Sequence, residues 1–162
     1  MSLKVEIAFT LNGRAVAAAV SADASALAVL RSQFDLAGAK LACGEGECGA
    51  CTIIVDGLSR NSCLMPAADL AGRTVRTVEG LWSERGLDPV QQAFVETGAV
   101  QCGYCTPGMV MQVRHALDRN PEANEAELRR AIEGNVCRCT GYAKVVDAAL
   151  VAARRVSGGE AP

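Results

Sequence analysis

Histidine is nearly missing from this chain, with His115 the single example among 162 residues. One imidazole cannot supply the two histidine ligands of a Rieske centre, so that class is excluded. Aromatic residues are scarce too: tryptophan, tyrosine and phenylalanine together make 4% of the sequence, thin material for a deep substrate pocket. No apolar stretch approaches the ~20 residues of a membrane span, and residues 15–20 are only a short run of small side chains, so no membrane insertion is expected. A secretory leader is not recognisable either, because Lys4 and Glu6 interrupt the first apolar run. A reducing, cytoplasmic setting is the expectation. Neither charge sign dominates, with 16 basic against 18 acidic side chains, and nucleic acid is not an expected partner for such a balance.

Cysteine is what the chain has in quantity. Its eight cysteines fall into two sets of four: Cys43, Cys48, Cys51 and Cys63, then Cys102, Cys105, Cys137 and Cys139. The first set opens Cys43-Gly-Glu-Gly-Glu-Cys48-Gly-Ala-Cys51, the four-then-two spacing of plant-type 2Fe-2S ferredoxins. Glycines in the gap let the backbone wrap a cluster and aim N–H groups at its sulfurs. The second set pairs Cys102-Gly-Tyr-Cys105 with Cys137-Arg-Cys139. That pattern suits a four-thiolate zinc site as well as iron and sulfide, and spacing alone leaves both open. Two oxidised 2Fe-2S clusters would take the formal charge from -2 to about -6.

Half of the residues are apolar, so a buried core is within reach of one domain or two small ones. The pattern changes near residues 80–88. Before it, residues 4–11 alternate, with Val5, Ile7, Phe9 and Leu11 on one face, and Asn12-Gly13 offers a hairpin turn into residues 15–20. Ser21 and Asp23 offer capping oxygens for a helix with Leu27, Leu30 and Phe34 on one face, and Gly38 is placed to end it. After the cysteine loop come a strand at 52–55, an Asp56-Gly57 turn, a return strand delivering Cys63, and an edge strand at 74–78. Strands around one helix predict a small β-grasp domain over residues 1–80.

Beyond the change the period is helical. Asp88-Pro89 starts one helix, which Gly98 ends; Thr106-Pro107 starts a second, running to Pro121. Asn124 and Glu127 start a third, and Thr140 opens a fourth through Val145, Ala149 and Ala153. The expectation is α+β overall, with a four-helix domain over residues 81–162. Cys102 with Cys105, and Cys137 with Cys139, would then sit at two helix N-termini, each followed by a threonine able to cap. Unpaired N–H groups and the positive dipole end favour thiolate there.

Three segments together resemble the iron–sulfur subunit of the xanthine dehydrogenase and aldehyde oxidase family of molybdenum hydroxylases. They are Cys43-Gly-Glu-Gly-Glu-Cys-Gly-Ala-Cys51, Gln101-Cys-Gly-Tyr-Cys-Thr-Pro-Gly-Met109 and Gly134-Asn-Val-Cys-Arg-Cys-Thr-Gly-Tyr142. The resemblance implies a plant-type ferredoxin-like β-grasp domain with one 2Fe-2S cluster, then a four-helix domain holding the other. It implies an oxidoreductase subunit that passes electrons from a molybdopterin centre, of the cytosine dinucleotide type, towards FAD or an external acceptor. The molybdopterin would lie in a large partner chain and the FAD in a medium one. Gln101 and Cys139 would approach the pterin, and no residue of this chain would perform bond chemistry. A related thioester reductase with inward electron flow, a free-standing two-cluster ferredoxin and a zinc-stabilised interaction module are the alternatives. The motifs do not choose a substrate.

Outside the motifs, bland roles are expected. His115 reads as a surface or partly buried helix residue, Glu45 and Glu47 as solvated loop charges, and Trp82 as packing between the two halves. Arg138, between two cysteines, is a local charge able to tune a redox potential.

Overall fold

The computed structural model describes residues 3–84 and 86–158. Met1, Ser2, Arg85 and the last four residues, which fall within the two expected domain spans, lie outside it. The alternating start of the chain forms β1 (Lys4–Leu11), which turns at Asn12 (φ 50°) and Gly13 (φ 81°) into β2 (Arg14–Ser21). Both turn residues are left-handed, the geometry that matches the twist of a two-residue hairpin. The Asn12 side chain then docks the turn on Thr77: its Nδ2 donates to Thr77 Oγ1 at 3.0 Å and its Oδ1 accepts from the Thr77 N–H at 2.9 Å.

Helix α1 (Ala26–Gln33) is capped by Ser25, whose hydroxyl oxygen accepts from the Ala28 N–H, and not by Ser21 or Asp23. Ser21 belongs to the end of β2 and hydrogen-bonds to Asp23 instead. Nor does Gly38 end the helix. Phe34 is the C-cap and Asp35 takes the left-handed turn at φ 55°, while Gly38 is where the chain presses against Val78 and Glu79. Leu27 and Leu30 are buried beneath the sheet, and Phe34 meets Phe9 edge-on at 5.6 Å.

Three more strands complete the sheet: β3 (Thr52–Val55), β4 (Leu58–Asn61) and β5 (Thr74–Arg76). Short 3₁₀ turns at Ala67–Leu70 and Val78–Leu81 flank β5. The order is β2-β1-β5-β3-β4, so β5 is central, where the sequence suggested an edge. It runs parallel to β1, with Leu11 opposite Val75, and antiparallel to β3, with Val55 opposite Val75. A strand this short shows no alternation from which its place could be read, and only the crossover from β4 brings it inside.

Four further helices follow: α2 (Pro89–Glu96), α3 (Thr106–Arg119), α4 (Glu125–Ala131) and α5 (Ala143–Val156). Helix α2 begins with a capping box between Asp88 and Gln91, and α4 with one between Asn124 and Glu127. Gly98, at φ 66°, ends α2 as expected. Among the described residues the architecture is thus α+β, a mixed five-stranded sheet with five α-helices.

Two apolar cores result, and β3 is common to both. All four of its residues are buried: Ile53 and Val55 point into the core of α1 and the sheet, while Ile54 joins Phe94, Met109, Val113 and Leu117 on the other side. Strand alternation therefore feeds one core per face. An ionic chain also crosses between the halves, from Arg76 to Asp118, from Asp118 to Arg114 at 2.9 Å and from Arg114 to Asp88 at 3.7 Å. Trp82 takes no such part, since it is 60% exposed and does not pack between the halves as expected.

Because β3 has no solvent face, Ile53→Ala and Ile54→Ala should each lower stability by about 2–5 kcal/mol. Urea unfolding of the metal-loaded chain, followed by circular dichroism, reads this as two comparable drops in midpoint. A change within about 0.5 kcal/mol for either variant, the usual size at a surface position, would contradict the two-sided burial.

Candidate metal centres

The first cysteine loop connects α1 to β3. Gly44, Gly46 and Gly49 all take left-handed φ values, 73°, 79° and 65°, which curl the backbone and turn its N–H groups inward. Cys43 Sγ accepts the Glu45 N–H at 3.4 Å. That contact, with further donation from Cys48 and Glu47, lowers the exposed Cys43 thiol to about 6. The β3–β4 hairpin then delivers Cys63 beside Cys51: Thr52 is opposite Asn61, and Ser62 Oγ donates to the Cys51 carbonyl at 2.7 Å. Burial pushes the Cys51 thiol up to about 11; donation from the Cys63 N–H works against this and the Cys63 thiol adds to it.

In the second set, burial pushes Cys105 up to about 12, with Cys137 beside it contributing in the same sense. Burial also acts to raise Cys137, but donation from the Thr140 hydroxyl at 3.1 Å and the Thr140 N–H at 3.4 Å outweighs it and brings this thiol to about 7. Cys139 is raised by the Cys102 thiol that hydrogen-bonds to it. Cys105 is itself the N-cap of α3. The two threonines do not cap as expected. Thr106 is the first residue of α3, and α5 begins only at Ala143, after Tyr142 at φ 68°. Thr140 instead serves a cysteine sulfur directly, a role that the sequence pattern Cys-Thr does not distinguish from capping.

The thiols fall into contacting pairs: Cys43 with Cys48, Cys51 with Cys63, Cys102 with Cys139, and Cys105 with Cys137. Among the described residues no three histidine, cysteine or acidic side chains converge as a single-ion site requires. Two pairs in each set fit a binuclear group in which every iron takes two thiolates and shares sulfide.

The two sets also meet. The Val136 N–H donates to the Cys48 carbonyl at 2.9 Å, Asn135 Nδ2 donates to the Gly49 carbonyl at 2.9 Å, and the Tyr104 hydroxyl donates to the Leu41 carbonyl. Sequence reasoning misses the side chains of Asn135 and Tyr142, although both stand inside the third motif. Their contacts beside the cysteines, with Asn135 buried and Tyr142 partly so, are the signal needed to find them, and only the fold supplies it. Gln101, Cys102 and Cys139 are exposed, as are Cys43, Glu45, Glu47 and Arg138. Leu41, Leu64, Tyr104 and Val136, all exposed, stand around them and give this end an apolar rim. His115, on α3, is partly buried as expected, and burial holds its pKa below the ordinary histidine value.

A 2Fe-2S iron-sulfur cluster binding domain matches residues 9–77, and a second 2Fe-2S binding domain matches residues 77–150. The small FeS subunit of nicotinate dehydrogenase from Eubacterium barkeri is 42% identical over 152 residues, covering 94% of this chain and 97% of the relative. The small subunit of nicotine 6-hydroxylase from Paenarthrobacter nicotinovorans is 46% identical over 147 residues, covering 91% and 88%. Among solved structures, a chain of quinoline 2-oxidoreductase from Pseudomonas putida 86 superposes with a TM-score of 0.91 at 37% identity, covering 97% of this chain and 98% of that one. Aldehyde oxidoreductase from Desulfovibrio gigas gives 0.90 at 36% identity over 95% of this chain, and there the match spans 17% of the longer chain.

The unequal thiols imply an order of reactivity in the folded, metal-free chain. Thiolate is the reactive form and grows as pH rises through the pKa. Iodoacetamide at pH 7 should therefore label Cys43, held at about 6, well before Cys51 or Cys105, held at about 11 and about 12. Labelling of Cys43 should fall as the solution is taken below pH 6. Peptide mapping by mass spectrometry reads the order, and equal rates at Cys43 and Cys51 would refute it.

Proposed function

The chain belongs to the iron–sulfur small subunits of the xanthine dehydrogenase and aldehyde oxidase family of molybdenum hydroxylases, and from that membership we propose a specific assignment of its ligands and contacts. It is the electron-transfer subunit of an oxidoreductase. Cys43, Cys48, Cys51 and Cys63 hold one 2Fe-2S cluster, with the first two on one iron and the last two on the other. Cys102 and Cys139 share an iron of the second cluster, and Cys105 and Cys137 its other iron. The observation that carries this reading is the pairwise gathering of the thiols in both sets.

When bound, each cluster supplies a site that takes up and releases single electrons. The work of the chain is to hold that charge. The Glu45 N–H and the Thr140 hydroxyl and N–H donate to Cys43 and Cys137. Such donors favour negative sulfur and raise the reduction potential, as does the positive charge of Arg138. In this reading residues 1–80 are a ferredoxin-like β-grasp domain and residues 81–162 a four-helix domain, in a cytoplasmic assembly. The exposed end bearing Gln101 and Cys139 faces a molybdopterin cofactor in a large partner chain, and a medium chain carries FAD. The apolar rim of Leu41, Leu64, Tyr104 and Val136 supports burial of that end against another chain.

Purified protein should contain about four irons and about four acid-labile sulfides per chain, one 2Fe-2S unit for each set. Stoichiometric zinc without sulfide would end the cluster assignment for the set that carries it.

Gln101→Ala tests the pterin contact in the assembled enzyme. The loss should cost about 0.5–1.5 kcal/mol, the net size of one hydrogen bond. Iron and molybdenum contents should stay at wild-type levels while substrate reduces the clusters more slowly in rapid mixing. Reduction by dithionite, which bypasses the pterin, should be unchanged. Wild-type substrate reduction would leave Gln101 as a residue shaping the cysteine turn.

A further inference from the structure

The two cysteine sets belong to different cores, and the loops that carry them meet at the Gly49 carbonyl, between Cys48 and Cys51. This oxygen accepts three donors: the Thr52 N–H at 3.1 Å, Thr52 Oγ1 at 2.7 Å and Asn135 Nδ2 at 2.9 Å. The surroundings leave no slack. A Cβ on Gly108 would lie 2.2 Å from this same oxygen, and a Cβ on Gly49 would lie 2.5 Å from both Asn135 Nδ2 and the Gly134 carbonyl. Close-packed contacts of this kind transmit displacement.

Asn135 is 4% exposed and reaches both sets. Its side chain holds the turn of the first loop. Its main-chain carbonyl accepts from the Tyr142 hydroxyl at 3.3 Å, and that hydroxyl in turn accepts the Cys137 N–H at 2.7 Å. The next residue, Val136, donates its N–H to the Cys48 carbonyl at 2.9 Å. Along the chain, Asn135 and Gly49 are 86 residues apart, so their separation in space is set by these non-covalent contacts.

We propose that Asn135 is a positioning residue that sets the spacing and orientation of the two clusters, its amide holding the Cys48–Cys51 turn while its main chain, through Tyr142, holds Cys137. The inference rests on the two-cluster reading above. Spacing is functionally consequential because electron exchange between two centres, and the magnetic interaction between them when both are reduced, fall steeply with distance. An amide buried in order to span the seam does what an apolar residue of similar volume cannot: it fixes a direction as well as a contact.

The test uses the metal-loaded protein with both clusters reduced by dithionite. In wild type, low-temperature electron paramagnetic resonance should show two signals with mutual splitting. Asn135→Ala should keep both signals and the circular dichroism spectrum while the splitting shrinks. Hydrogen exchange should show protection of the Val136 amide falling about tenfold, the scale of one lost hydrogen bond. Asn135→Asp, which keeps the shape but removes the donor, should behave in the same way. Thr52→Val, which removes one of the two side-chain donors to Gly49, should weaken the splitting to a smaller degree and decides the matter if the Asn135 variants do not fold. Wild-type splitting in variants whose thermal stability has dropped would overturn the proposal and make Asn135 a packing residue alone. Absence of two paramagnetic clusters in wild type would overturn the two-cluster reading itself, and the proposal with it.

Discussion

Concentrating negative charge on sulfur is the constraint from which most of this structure follows. Burial raises the Cys51 thiol, with the Cys63 thiol adding to it, and the Cys102 thiol raises Cys139. The chain answers with donors. The loop that the left-handed glycines curl gives Cys43 the N–H groups of Glu45, Cys48 and Glu47, and Thr140 places both its N–H and its hydroxyl on Cys137. The result is asymmetric within each set: Cys43 and Cys137 lie below the ordinary thiol range, while Cys51 and Cys105 lie above it. If all four thiols of each set are ligands, as proposed, metal binding supplies the deprotonation of the latter two, which couples loading to pH.

The same requirement explains how the two halves fit together. Each cysteine loop also runs into a packed element: the first into β3, and the Cys102–Cys105 turn into α3. Those two elements pack on each other, because Ile54 projects from β3 into the core built around Met109 and Val113. Gly108 is the point of closest approach, where a side chain would collide with the first loop. Electron transfer needs two centres near one another and partner chains near both. The fold brings the two sets together at the Cys48–Val136 and Gly49–Asn135 hydrogen bonds, and Cys43, Cys102 and Cys139 are exposed.

Much of the local architecture was legible. The β1–β2 hairpin, the capping boxes at Asp88 and Asn124 and the stop at Gly98 follow from short-range rules in which a side chain meets backbone a few residues away. The errors fell where two rules competed for the same residues. Ser21 and Asp23 satisfy each other and leave the capping of α1 to Ser25. Thr140 sits where a cap could be, but the cysteine sulfur claims its hydroxyl. Trp82, expected to pack between the two halves, is exposed.

Two four-cysteine sets, the spacing and glycines that accompany each, and the starts of the first hairpin, of α2 and of α4 can be read along the chain, because all of these depend on near neighbours. Tertiary structure alone decided that β5 lies inside the sheet, that β3 serves two cores and that thiols distant in sequence pair as Cys102 with Cys139 and Cys105 with Cys137. It also decided that Asn135 reaches the Gly49 carbonyl across 86 residues. The physical reason is common to all four. Periodicity and capping record only which way a side chain faces along its own element, whereas the identity of what it faces is settled by how the elements pack, and no local pattern encodes that.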